Sequence, residues 1–215
     1  MLTYTHTDGA GGSRLIPGLA EALPRISADG TTYRLRLREG AEFSDGAAVK
    51  ASDFEHTVKR VLNLESGGSS YFQPIVGAEE YLKAGKSSGD ISGIDTNDRS
   101  RQITIRLTEP EGSFSNVLAM TFGGIVPEST PFRNQTKNPP PGAGTFKLAN
   151  VRVNRGFDLV KVPAFELAGI PQGQARPRVD HRHQEPRPAD AEHDPQRPRL
   201  HDRSTRPRPD RLRLG

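Results

Sequence analysis

No cysteine occurs in the 215 residues, so the chain carries neither a disulfide framework nor a thiolate site. That suits a secreted or periplasmic protein that does without disulfides. No run approaches the roughly 18 apolar residues of a membrane-spanning helix. The opening residues, MLTYTHTDGAGG, lack both the basic and the apolar segments of an export signal. As written, the chain is expected to have no leader and no anchor, and to stay in the cytoplasm. Catalytic patterns are missing too: there is no H-E-x-x-H, no G-x-S-x-G and no acidic metal loop. The glycines of DGAGGS are not followed by Lys-Ser/Thr or by a helical pattern, which argues against a phosphate-cradling loop. Residues 1–170 hold only two histidines, His6 and His56. His56 falls within a helical pattern and reads as a surface or boundary residue rather than a general base. Carboxylates are scattered, with no pair placed on one face. No enzyme, no cofactor and no metal centre is expected.

Charge is distributed unevenly. The net charge is +4, but residues 1–170 carry 19 basic and 19 acidic side chains. Residues 171–215 carry 11 Arg, no Lys and 7 acids, together with eight prolines and no Phe, Tyr, Trp, Ile or Met. Such a segment cannot bury a core, and disorder is expected over 171–215. One reading is an arginine-rich arm that binds nucleic acid through phosphates. The interspersed acids and the absence of lysine and aromatics weaken it, and an out-of-frame translation of GC-rich DNA explains the composition better. The motif Asp180-His181-Arg182-His183 could take up a metal adventitiously, without a preorganised shell.

The best-specified stretch is Thr31–Leu62. Tyr33, Leu35 and Leu37 alternate with Arg34, Arg36 and Arg38, the period of a half-buried strand. The alternation explains the arginines as a solvated sheet face, an anion site being the sharper alternative. Ser44-Asp45-Gly46 is a turn. Ser52 and Glu55 have the spacing of a capping box, and Phe54, Val58, Val61 and Leu62 share one helical face.

Elsewhere the signals are shorter. Leu15, Ile16, Leu19, Ala22 and Leu23 are available for burial. Glu65–Ser70 is a Gly/Ser loop, and Ile75–Ala84 is weakly helical. Ile91–Ile94 and Gln102–Leu107 read as strands, the second matching the period of the central strand. Phe114–Met120 reads as a short helix, and 138–142 as rigid and extended. Phe146–Val153 and Phe157–Val162 form a hairpin across Asn154-Arg155-Gly156. Tyr71, Phe72, Met120 and Phe122 are the candidate solute-contacting residues. For Tyr71 and Phe72 the plainer alternative is that they close a core edge.

Several segments together carry a family resemblance: PGLAEALP (17–24), DGTTY (29–33), LREGAEFSDG (37–46), KASDFEHTVKR (50–60), GAE (77–79), ISGI (91–94), ITIRLTEP (103–110) and PGAGTFKL (141–148). Over about residues 2–170 the chain resembles the family 5 extracellular solute-binding proteins of ABC importers, the oligopeptide and dipeptide group. It departs from the family's Gly-Thr-Gly-Pro-aromatic turn, written here Gly142-Ala143-Gly144-Thr145-Phe146. The resemblance implies a mixed α+β chain, part of one lobe of a type II periplasmic-binding (flytrap) fold over 1–170. It implies a monomer that captures a peptide or similar small solute outside the membrane and presents it to an ABC permease. Family members are extracellular, periplasmic or membrane-anchored and run several hundred residues further. This chain is therefore expected to act as an impaired fragment, its tail standing where the second lobe would begin.

Overall fold

The computed structural model describes residues 1–170 except 6, 86–88, 164, 166, 168 and 169. The tail 171–215, with the disorder and the metal motif expected there, lies outside the described residues, as does His6. Strand β1 (Leu2–Tyr4) pairs antiparallel with β2 (Leu15–Pro17). The DGAGGS segment between them winds into a short 3-10 turn. After β3 (Arg25–Ile26) and β4 (Thr32–Arg36) comes the main helix, α1 (Ser52–Asn63). Two short helices follow, α2 (Ser69–Phe72) and α3 (Ala78–Lys83), and then β5 (Ile94–Asn97) and β6 (Gln102–Arg106). Helix α4 (Phe114–Val117) precedes a hairpin of β7 (Phe146–Arg152) and β8 (Gly156–Lys161).

The central sheet has the order β3-β4-β6-β5, antiparallel throughout. Its register follows from the alternation in sequence, because opposed residues point to the same face. Tyr33 lies opposite Ile105 and Leu35 opposite Ile103, and all four are buried. The arginines between them face outward. Tyr33 is fully buried, meets Phe114 edge-on at 5.1 Å, and donates its hydroxyl to the Glu111 carbonyl at 2.6 Å. Burial, with a smaller push from Glu111, raises its phenol above the ordinary value.

Helix α1 lays Phe54, Val58 and Leu62 into the core without exposure, each worth roughly 1.5–3 kcal/mol of transfer free energy. Its start differs from the expected capping box. Ala51 already has helical angles, and Ser52 gives both its amide and its hydroxyl to Asp98. A carboxylate is the stronger acceptor, so Ser52 is drawn away from the helix amides. Asp53 instead reaches back to the Lys50 amide at 2.8 Å. Glu55 accepts the Ile91 amide and pairs with Lys59 at 3.0 Å.

Other boundaries move for similar reasons. The strand expected at Ile91–Ile94 begins at Ile94, since Ile91 is a buried anchor ahead of it. Ala22 and Leu23 stay exposed, and Ala20 takes the buried place. Gly77 precedes α3 with φ +82°, and a Cβ there would meet Ser92 Oγ at 2.4 Å. The GAE and ISGI segments are thereby locked together. The hairpin forms where expected, with a bulge between Ala149 and Arg152. Among the described residues no helix is long and apolar enough to cross a membrane.

Phe54→Ala empties a fully enclosed site. We expect it to lower the unfolding free energy by about 3–5 kcal/mol, read from urea denaturation followed by circular dichroism.

Candidate ligand-facing surface

Two of the four candidate residues come together. After α1 the chain passes through Gly67 and Gly68 into α2, tied back by Ser69 Oγ donating to the Val61 carbonyl at 3.0 Å. This sets Tyr71 at the surface, 42% exposed, with its ring stacked on Phe122 at 6.4 Å and 29°. Phe122 reaches that place from a 3-10 turn over Thr121–Gly123, partly buried against the core. Met120 is half-buried where that turn begins. Phe72, by contrast, is fully buried in the core. The adjacent pair is thus split: Tyr71 remains at the surface, and Phe72 fills the interior as the plainer alternative held.

Gly68 makes the stack possible. A Cβ at this position would fall 2.3 Å from Cγ and 2.7 Å from Cβ of Phe122, too near the root of the side chain for rotation to relieve. Sequence reading took 65–70 as a loop and missed that its glycine is a seat for an aromatic ring. The signal available was only the pairing of a Gly-Gly step with a later Phe.

A second feature adjoins the first along the chain. Residues Gly124–Val126 continue from the Phe122 turn and wall a cavity of about 470 Å³. Met1–Thr3, Gly18 and Leu19, the Pro140–Thr145 segment, and Phe165, Leu167 and Ile170 complete its lining. The glycine-rich PGAG turn is held here by the Ser44 amide donating to the Gly142 carbonyl at 2.8 Å, and by the Val162 amide to the Thr145 carbonyl. The lining is mostly apolar and holds no charged side chain, a surface suited to a neutral ligand rather than to a charged cofactor.

The polar face of α1 positions the segment that follows. Asp53 Oδ1 accepts the Glu128 amide at 2.8 Å, and Thr57 Oγ1 accepts the Val126 amide at 3.0 Å. His56 Nε2 donates to the Thr130 carbonyl at 2.7 Å while its ring stacks on Phe132 at 4.9 Å. Arg60 donates to the carbonyls of Pro131 and Arg133. His56 is accordingly a clasp on a loop, with its Nε2 committed to a carbonyl. No group of three metal-ligating side chains occurs among the described residues. The face residues 53, 56, 57 and 60 have helical spacing, yet nothing local in the sequence names their partner loop.

A mixed sheet-and-helix unit of this kind, with an aromatic ledge beside an apolar groove, is part of one lobe of a type II periplasmic-binding fold. The fold is shared with clavulanic acid biosynthesis oligopeptide binding protein 2, at TM-score 0.65 and 24% identity, over 77% of this chain and 30% of that one. The sequence matches the model of the bacterial extracellular solute-binding proteins, family 5 Middle, over residues 14–189. The chain belongs to that family. The dipeptide-binding protein DppE of Bacillus subtilis is 33% identical over 105 residues, 48% of this chain and 19% of that protein. The periplasmic oligopeptide-binding protein OppA of Escherichia coli is 29% identical over 157 residues, 69% of this chain and 28% of that protein. The chain therefore spans well under a third of the length of these relatives. The family match also runs to residue 189, beyond the boundary expected at 170.

Gly68→Ala is expected to cost about 1–3 kcal/mol as an overpacking change and to separate the Tyr71 and Phe122 rings. Urea unfolding reads the first, and loss of ring-current shifts in proton NMR reads the second.

Asp53 supplies a pH test. Its carboxyl is raised above the ordinary 3.8, chiefly by burial and further by the Glu128 charge, against the pull of the two amide bonds. Because the folded value is the higher, the native state keeps a proton that the unfolded chain releases. Stability then falls as pH rises through the interval just above 3.8. Asp53→Asn is expected to remove that slope from the unfolding free energy measured against pH. It should also lower stability at neutral pH by about 1–3 kcal/mol, since an amide can accept only one of the two bonds.

Proposed function

We propose that this chain supplies part of the first lobe, residues 1–170, of an extracellular receptor for peptides or a similar small solute. The receptor works as a monomer, without catalysis, and hands its ligand to an ABC permease in the membrane. The observation that carries this reading is the stacked Tyr71–Phe122 ledge with Met120 beside it, on a lobe of the family fold and next to an apolar groove. An aromatic ledge suits a ligand of variable side chains, because rings contribute area without demanding one hydrogen-bond pattern. The groove offers backbone groups to a peptide main chain, with water free to fill what side chains leave. In a flytrap receptor, affinity arises when two lobes close on the ligand. One wall alone leaves half of each ligand contact to solvent, so the 215-residue chain binds weakly by itself. The comparisons lend no support to a nucleic-acid-binding reading.

The test is a titration of the 15N-labelled chain with di- to pentapeptides, followed residue by residue in NMR spectra. Shifts are expected around Tyr71 and Met120–Phe122, unsaturated until about millimolar peptide, and lost in Tyr71→Ala. Shifts elsewhere, or none, would overturn the site. Micromolar saturation in a parallel calorimetric titration would overturn the single-wall argument.

A further inference from the structure

The solvent face of the central sheet carries an arrangement that peptide capture does not use. Arg25 on β3 and Arg34 on β4 lie directly opposite one another, so both side chains project from the same face. The next residue in that row is Thr104 on β6 and the last is Asp95 on β5. Arg25, Arg34 and Thr104 line a depression of about 480 Å³. Like charges directly opposed across a ladder are unfavourable, and although Glu21 also lines the depression, it forms no ion pair with either arginine.

The neighbouring charges are committed elsewhere. Glu21 stands 3.8 Å from Arg36 and 3.5 Å from Arg101. Arg106 donates to the Ser92 carbonyl, and Arg38 to the carbonyls of Gly18 and Ala20. Asp95 lies two strands from Arg34, about 10 Å away at ordinary strand spacing, where salt screens most of its attraction. Among the described residues, Arg25 and Arg34 have no ion pair and no hydrogen bond. They are two adjacent guanidinium forks with a hydroxyl beside them.

We propose that Arg25 and Arg34 form a clamp for a phosphate-type oxyanion on the open face of the sheet. Guanidinium forks match the oxygen geometry of phosphate two bonds at a time, and a bound anion would ease the repulsion between them. Thr104 Oγ1 supplies a further donor in the same row. The ligand is either a free phosphate ion or the phosphodiester headgroup of an anionic lipid, and the experiment separates the two. This site is independent of the Tyr71–Phe122 ledge, so either can fail without the other.

The intact 215-residue chain is tested at low ionic strength in two arms. One measures inorganic phosphate by calorimetry, the other co-sedimentation with phosphatidylglycerol–phosphatidylcholine vesicles against pure phosphatidylcholine. Each arm compares the wild type with the double variant Arg25→Lys, Arg34→Lys, which keeps every charge but loses the forks. Arg99→Gln, which removes one exposed arginine elsewhere, is the control. Phosphate binding, or binding to anionic vesicles alone, is expected to weaken at least about fivefold in the double lysine variant and to persist in Arg99→Gln. Absence of binding in both arms overturns the proposal, as does a lysine variant that binds like wild type. Equal loss in Arg99→Gln overturns it too, since net charge would then suffice. Because neither arginine has a protein partner, the double variant should unfold at the wild-type temperature without phosphate. A fall of several degrees would show the pair engaged in the fold and would also overturn the clamp.

Discussion

Asp53 joins two parts of the chain that sequence alone leaves unrelated. One carboxylate oxygen takes the amide of Lys50 at the start of the helix, and the other takes the amide of Glu128 beyond the Phe122 turn. The side chain is only 3% exposed, so the carboxylate depends on these two amides in place of water. Removing a partner from a buried amide costs more than the bond itself contributes. Thr57, His56 and Arg60 repeat the same device along the helix, and together they hold 126–133 against α1. This clasp holds the segment into which the Phe122 turn leads. The helix serves two masters: one face fills the core, and the other fixes the segment that carries the ledge into the cavity wall.

Several of the segments that mark the family are junctions, and two of them, PGLAE and PGAG, also wall the groove. FSDG receives PGAG through Ser44 and Gly142, and Arg38, two residues past the end of β4, grips the PGLAE loop. Gly77 and Ser92 press GAE against ISGI. Backbone carbonyls, amides and missing Cβ atoms make these joints. A scaffold built this way holds its groove in shape whatever rings are set upon it. Relatives named for dipeptides and for oligopeptides can thus share one framework.

What was legible in sequence was whatever repeats at a local period. Alternation at Tyr33–Leu37 and Ile103–Leu107 identified two strands of matching period, while their pairing and register are set by contacts distant in sequence. The apolar stripe of Phe54, Val58, Val61 and Leu62 identified α1 and its buried face. The cap was misread because Ser52 and Glu55 have the right spacing, while Asp98 and Ile91, their actual partners, are far along the chain. Tyr71 and Phe72 look equivalent in sequence; only the path of α2 decides which one is buried. Met120 and Phe122 could be nominated, but the contact of Phe122 with Gly68 joins distant segments and has no periodic signature. Distances between remote side chains are tertiary information, and the clasp on 126–133 is of that kind.

The β4–β6 pairing has a consequence for how the chain reaches its native state. Leu35 finds Ile103 across the ladder, so about seventy residues must be looped out before the sheet can close, an entropic cost that later contacts must recover. Helices α1, α2 and α3 lie within that loop, and α1 can form locally as soon as it is made. A chain emerging from the ribosome therefore presents the apolar face of β4 before its partner β6 has been made. Helix-first assembly, with the sheet closing late, is the order that this topology favours.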